Sequence, residues 1–489
     1  MPKEKRHTGL KKAMLISVVI MLSCQYDVTV KERVNLATAD QLSVDPVQFD
    51  LDAIREKGVL TALTLNSSTS YFVYRGQAMG YEYELLKRFA NHLGVELEIR
   101  IIPDVNAMFD LLNKGEGDII ACNLAITKDR LRLARFSEPY NFTRQVLVQR
   151  NPEGYETMNL DELNKKIVTG PIDLIGKKVY VNKSSSFFSR LKNLQNEIGG
   201  DIEIVPVPGY IDTEKLIKKV AAGDIDFTVA DDNIARLNAT YYPNLDISVQ
   251  LSFPQQIAWA MRKNSPDLLA AVNEWFDEDR KKSVHAYIYS KYFKASKEQW
   301  DRFNSEYSSL KGNRISDYDE ILKEYSKIID WDWRLLAAQM YQESKFQEDA
   351  RSWAGAFGLM QFMPATAAVY GIDTSSSPEA HIRAAILYIS WLDDYWKERV
   401  FDPEQRMHFI LASYNVGLGH VTDASNLALS LGYNPQKWEA HVAECILLKS
   451  QSEFYQADVV KYGYCRGEEP YQYVKKILAQ YEHYKRVIS

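Results

Sequence analysis

Near Lys294 the chain changes character, and that change constrains what it can fold into more than any other feature. From about residue 51 to 293, short β-branched runs alternate with amphipathic helical stretches. Beyond it the β-branched runs stop, and helical periodicity rich in aromatic residues takes over. A β-α-β rhythm implies a parallel sheet with helices on its faces, whereas an uninterrupted 3.6-residue period implies helix packed on helix. The chain is therefore multidomain, with α/β architecture ahead of an α-helical domain. Its 489 residues allow roughly three domain-sized units.

The α/β part reads in two blocks. In the first, residues 59–65, 95–102 and 118–123 are expected strands, and 83–93 and 108–114 expected helices, the former stopped by Gly94. The second block begins near Lys177, with strands at 178–181, 202–207 and 226–230, a helix that follows Ser184-Ser185-Ser186 and runs to about Glu197, and another at 213–222. Residues 257–262 (strand) and 266–277 (helix) return to the first block, so a second lobe, about 150–247, is inserted into the first. Such paired lobes suit hinge closure around a ligand. In the C-terminal part, helices are expected at 317–329, 332–344, 364–370, 378–397, 403–414 and 469–484. Pro364 at a start and Gly371 past an end supply the usual punctuation.

The N-terminus reads as an export signal. Lys3, Lys5, Arg6, Lys11 and Lys12 precede an apolar run at 13–22, too short to span a bilayer, which needs ~20 residues. Ser23-Cys24 follows, so Cys24 is the expected lipidation site, with plain secretion or an uncleaved anchor as alternatives. Residues 1–24 are thus a lipoprotein-type signal segment and 25–50 a tether. The whole chain carries a formal charge of −6, and about −10 without the basic leader, which excludes nucleic acid as a partner. Hydrophobic content of 46% provides for sizeable cores. Cys24, Cys122, Cys445 and Cys465 make no disulfide framework and no metal-binding spacing. Cys445 and Cys465 either bridge or stand as separate buried thiols.

Trp333, Leu336, Met340 and Glu343 fall on one helical face, so Glu343 ends an apolar stripe. Desolvation there should raise its pKa, as a proton donor to a glycosidic oxygen requires. Spacing alone leaves two readings: that donor, or a buried carboxylate paired with a distant cation. The context is Glu343-Ser344, then Ser352, then Gly355-Ala356-Phe357-Gly358-Leu359-Met360-Gln361, then Ala412-Ser413-Tyr414-Asn415-Val416-Gly417, then Tyr473-Val474. In order and spacing this resembles the lytic transglycosylase (goose-lysozyme-like) family over about 170 residues. The resemblance implies an α-helical lysozyme-like domain with Glu343 as the single acid/base. It also implies that Ser352, Met360, Gln361, Tyr414, Asn415 and Tyr473 line the sugar cleft. Pro470 and Phe362 depart from the commoner Thr and Ile. The implied reaction cleaves the β-1,4 bond between N-acetylmuramic acid and N-acetylglucosamine in peptidoglycan glycan strands and closes a 1,6-anhydro ring. It needs no metal and no cofactor. Asp349, Asp373 and Glu379 are further carboxyls by which a hydrolysing muramidase could activate water.

The α/β part carries a second resemblance. Gly80-Tyr81-Glu82-Tyr83-Glu84-Leu85, Thr127-Lys128-Asp129-Arg130 and Phe136-Ser137-Glu138-Pro139-Tyr140 are similar to the signatures of amino-acid-type periplasmic solute-binding proteins. This implies the two-lobed periplasmic-binding-protein fold. It also implies that Arg130 clamps a ligand carboxylate and Asp231 an ammonium group, a division of labour that suits a guanidinium and a carboxylate. Ser185, within Ser184–Ser186 at a helix start, is expected to donate to the carboxylate, and Tyr71, Phe72 and Tyr74 to wall the site. Ala125 stands where the family often has Thr.

The expected domains are a solute-binding-like regulatory domain at 51–294, a linker at 295–314 and a catalytic domain at 315–489. The expected protein is lipid-anchored at the periplasmic face of the outer membrane, and an amino acid or stem peptide bound in front modulates cleavage behind. A binding or sensor protein with an inactive catalytic domain is the alternative of a different class.

Overall fold

The structure is a computed structural model that describes residues 45–208, 211–294 and 297–488. It separates into two compact units. The first takes the described residues up to Thr64 and then Leu85–Ala286; the second takes Leu65–Glu84 and the chain from Tyr287 onward.

The first unit holds two five-stranded sheets, one per lobe. In one, the order is Glu96–Ile101, Val59–Thr64, Ile119–Ile120, Ala260–Met261, Arg135–Phe136. Val59–Thr64 runs parallel to both its neighbours, with Val59 opposite Glu96, and the returning Ala260–Met261 is antiparallel. The other sheet runs Glu203–Val207, Lys178–Asn182, Phe227–Asp231, Gln145–Arg150, Leu245–Asp246. Its core is Leu147, Val179, Val181, Leu191 and Val229. The chain passes between the lobes along Asn141–Thr143 and Gln255–Ile257, which pair antiparallel. The second lobe is thus inserted between Asn141–Thr143 and Gln255–Ile257.

Arg262 fastens the return. Its guanidinium is fully buried and donates to Asp118 at 2.9 Å and to the carbonyls of Phe49, Leu112 and Gly117. A buried charge is tolerated because its donors are occupied. The Phe49 contact corrects the tether at its inner end. Val47 N–H donates to the Asn113 carbonyl, and Asp50 accepts from Asp267 and Leu268 N–H, so residues 45–50 are fixed to the sheet lobe. The signal segment, Cys24 and the tether to residue 44 lie outside the described residues.

The second unit is helical, and its main helices are Asp319–Tyr325, Trp333–Ser344, Pro364–Val369, Pro378–Trp396, Pro403–Val416, Leu418–Ser430 and Glu468–Val487. Proline opens three of them at the first turn. Leu418–Ser430 has no counterpart among the expected helices. It begins directly after Pro403–Val416 across Gly417, whose φ of +93° turns the chain without a loop. Trp333–Ser344 is buried more widely than one stripe, including Leu335, Ala338 and Gln339 as well as Leu336 and Met340. It packs against Glu468–Val487, which also meets Pro403–Val416. Cys445 and Cys465 are free, buried thiols. Among the described residues no helix is long and apolar enough to cross a membrane.

Two segments ahead of residue 315 group with the helical unit. A hairpin, Phe72–Tyr74 paired with Gln77–Met79, belongs to the helical unit rather than to the lobe that precedes it. Its turn lies on Glu468–Val487, where the Gly76 carbonyl accepts from Gln480 Nε2 at 3.0 Å and from Tyr484 OH at 3.2 Å. Within the expected linker at 295–314, the described residues from 297 onward are structured. They form a helix, Lys297–Asn304, and then an edge that bonds the hairpin through Arg75 N–H to Tyr307 O and Ser309 N–H to Val73 O. An exposed strand edge needs partners for its peptide groups, and this segment supplies them.

Candidate active site

Trp333–Ser344 is set at both ends. Asp332 caps its first turn, accepting from Arg334 N–H, and Lys345 and Phe346 end it in left-handed conformations with φ of +55° and +65°. Glu343 is thereby held in the last turn, half-buried at the wall of a cleft of about 800 Å³. Tyr473, on the facing helix, donates its hydroxyl hydrogen to Glu343 Oε1 at 2.5 Å, and its oxygen accepts from Gln339 Nε2 at 3.4 Å. Gln339 lies one turn before Glu343, so both ends of this relay rest on one helix. Burial pushes the Glu343 carboxyl up to about 8, and the Tyr473 hydrogen bond opposes that rise. The net shift favours the protonated form.

The opposite wall is a tight loop. Ser352 Oγ accepts from Ala356 N–H at 3.0 Å, and Ser352 N–H donates to Ala356 O at 2.9 Å. Gly358, at φ +78°, has no room for a Cβ, which would fall 2.2 Å from the His381 ring. Gln361, itself at φ +47°, donates its side-chain amide to the carbonyls of Ala350 and Gly358. Ser352, Gln361, Tyr414, Asn415 and Tyr473 all line the cleft with Glu343. Met360 does not. Its side chain is fully buried, so it cannot pack on a saccharide; its carbonyl instead accepts from Tyr414 OH at 3.0 Å and holds that ring in place.

The three further carboxyls are elsewhere. Asp349 borders a separate small cavity, Asp373 is bound by Ser375 and Ser376, and Glu379 accepts from Tyr325. Glu468 and Glu469 line the cleft instead, together with Arg466, Gln472 and Lys476. Positions 469, 472, 473 and 476 share one helical face, so the spacing around Tyr473 carried a signal for them. Trp353 and Tyr388 also line the cleft and had no sequence signal.

In the first unit, Arg130 and Asp231 are both buried and are close enough to perturb one another. Arg130 Nη1 donates to Ala125 O at 2.9 Å. Asp231, at the end of Phe227–Asp231, accepts from Asn123 Nδ2 at 2.8 Å across the lobes. Its other oxygen is buried with no hydrogen-bond partner among the described residues. Burial pushes Asp231 up to about 7 against the pull of Arg130. Ser185 does not have a free donor, because its hydroxyl hydrogen goes to Asn182 O at 2.6 Å. Tyr71 and Phe72 are not open walls. Both are fully buried, and the Tyr71 ring stacks on His483 of the helical unit at 5.4 Å. Tyr74 is bridged to Ser308 in the same hairpin edge.

Residues 60–295 match the bacterial extracellular solute-binding proteins, family 3, and residues 320–436 match the transglycosylase SLT domain. A protein of Desulfosudis oleivorans named membrane-bound lytic murein transglycosylase F is 36% identical over 439 residues, covering 88% of this chain and 91% of its own. One of the same name from Pseudomonas putida (strain W619) is 32% identical over 435 residues, covering 88% and 86%. Among solved structures, an ancestral arginine-binding protein bound to arginine is 24% identical, covering 48% of this chain and 98% of its own, with a TM-score of 0.40.

Proposed function

The chain belongs to the membrane-bound lytic murein transglycosylase F family, and from that premise we propose how its residues perform the reaction. It is a peptidoglycan lytic transglycosylase of the cell envelope. Glu343 gives its proton to the oxygen joining N-acetylmuramic acid to N-acetylglucosamine, and the bond from muramic C1 to that oxygen breaks. Positive charge develops at C1. The Glu343 carboxylate then takes the proton of the same sugar's C6 hydroxyl, whose oxygen closes on C1 to give the 1,6-anhydro product. Water is not consumed, and the internal nucleophile gains from proximity. Tyr473 keeps the ionised intermediate state of Glu343 accessible, and Ser352, Gln361, Tyr414 and Asn415 hold the strand.

One observation carries this reading: a desolvated carboxyl in the wall of the cleft, held by a tyrosine hydroxyl. Glu468 and Glu469 in the same cleft favour a second reading, in which one of them activates water. Mass analysis of digested peptidoglycan separates the two. Anhydro ends, absent with Glu343→Gln, support the lyase; reducing ends carrying oxygen from ¹⁸O-water would replace it with the hydrolase. Neither kind of end in the wild-type digest would leave a binding protein.

The first unit we read as the sensor of an amino acid or a stem peptide, with Arg130 on the carboxylate and Asp231 on the ammonium group. The unpartnered oxygen of Asp231 supports this reading. Attachment through a lipid on Cys24 at the periplasmic face of the outer membrane completes the proposal, and mass analysis of the mature N-terminus tests it.

A further inference from the structure

Trp353 lines the catalytic cleft, yet it is 99% exposed. An indole is the side chain with the most apolar surface to hide, and one left wholly in water contributes nothing to the fold. Its backbone, by contrast, is fixed. Arg351 and Phe357 bridge as an antiparallel pair, Ser352 N–H donates to Ala356 O, and Gly355 N–H donates to Ser352 O at 3.0 Å. Ala356 N–H donates to Ser352 Oγ, and Gly355 takes a φ of +91° that closes the turn. Trp353 is the second residue of that turn, so a rigid loop presents a flat ring beside Ser352 and Gln361, the polar groups of the sugar-facing wall.

From this geometry we infer that Trp353 is a stacking platform for a pyranose ring of the glycan strand, a specificity-determining residue of the reaction above. β-1,4-linked amino sugars carry their substituents equatorially. Each ring face is therefore a patch of axial C–H groups, slightly positive, that suits the negative face of an indole. Preorganisation in the hydrogen-bonded turn means that little ordering opposes the contact. The ring makes its contact in ground and transition states alike, so its contribution appears in KM rather than in kcat. The inference rests on the proposed reaction, but its test reads binding separately.

The probe is chitohexaose, a peptide-free β-1,4 amino-sugar oligomer, added to Glu343→Gln protein, which binds without turning over. The expected result is that acrylamide quenching of the most accessible tryptophan emission falls on adding sugar. In the Glu343→Gln, Trp353→Phe double variant that protection is absent. In active enzyme, Trp353→Ala should raise KM for peptide-free glycan strands about tenfold, with kcat changed less than about twofold, and Trp353→Tyr should restore part of the loss. An exposed side chain can be removed without opening a core, and an unchanged melting temperature verifies that. Unaltered quenching with chitohexaose, or protection only by peptide-bearing fragments, overturns the inference. Absence of anhydro ends from the wild-type digest would instead overturn the parent reading.

Discussion

Glu343 is worth following as a single ionisable group. Its folded value of about 8 against an ordinary 4.5 means that the native state holds the proton more tightly than the unfolded chain. Stability from that difference is complete below about 4.5 and is lost as the pH rises through about 8. Glu343→Gln, which cannot ionise, should therefore melt higher than the wild type above pH 8 and no higher at pH 4, by thermal unfolding across that range. The same variant should lose at least about 100-fold in cleavage rate. Activity of the wild type should fall on the alkaline side of about 8, where the donor is empty. Tyr473→Phe removes the hydrogen bond that favours the ionised form, so that alkaline limb should move to higher pH in a rate profile. The sequence carried Glu343 and Tyr473 as members of one ordered set of motifs. It did not carry their contact, which needs two helices 130 residues apart in the chain to face each other. Met360 was misplaced for a related reason: a motif names a position, and only packing tells whether the side chain or the carbonyl is used.

At the scale of elements, the helix Glu468–Val487 does two jobs. Its first turns bear Gln472, Tyr473 and Lys476 on the cleft, and its later turns bear Gln480 and Tyr484 against the hairpin 72–79 and His483 against Tyr71 just before it. Gly76 sits at that junction with a φ of +74°. A Cβ there would fall 2.6 Å from Tyr484 OH, 2.7 Å from Phe346 and 2.8 Å from Tyr341. Gly76→Ala should thus destabilise the helical unit by about 1–3 kcal/mol, read as a lower denaturant midpoint, and lower activity with it. Periodicity found most helices here because long amphipathic runs declare themselves. It missed Leu418–Ser430 because no loop separates that helix from the one before. It missed the hairpin's allegiance because strands of three residues carry no period, and their partner is some 400 residues downstream.

For the molecule as a whole, composition and rhythm were enough to give the two architectures and the inserted lobe. The proposed ligand site has its own pH signature. Asp231 at about 7 must be ionised to meet an ammonium group, so affinity for an L-amino acid ligand should weaken about tenfold per unit below pH 7 and binding should release protons. Calorimetry of an amino-acid panel in buffers of different ionisation enthalpy measures both, and Arg130→Ala should abolish binding. Structure within the expected linker, the helix Lys297–Asn304 and the edge at Tyr307 and Ser309, was not legible because a linker and a short packed edge share the same polar composition.

The chain leaves the first unit after Thr64, builds a hairpin of the second, and returns at Leu85. Fused genes are commonly pictured as beads joined end to end; this one is stitched. A recombination breakpoint near codon 315 would transmit the acid and its tyrosine but not the strands that cover Tyr341, Phe346 and Tyr484. The catalytic half therefore depends on a strand pair encoded ahead of residue 85, and substitutions at Gly76 have to suit Tyr341, Phe346 and Tyr484.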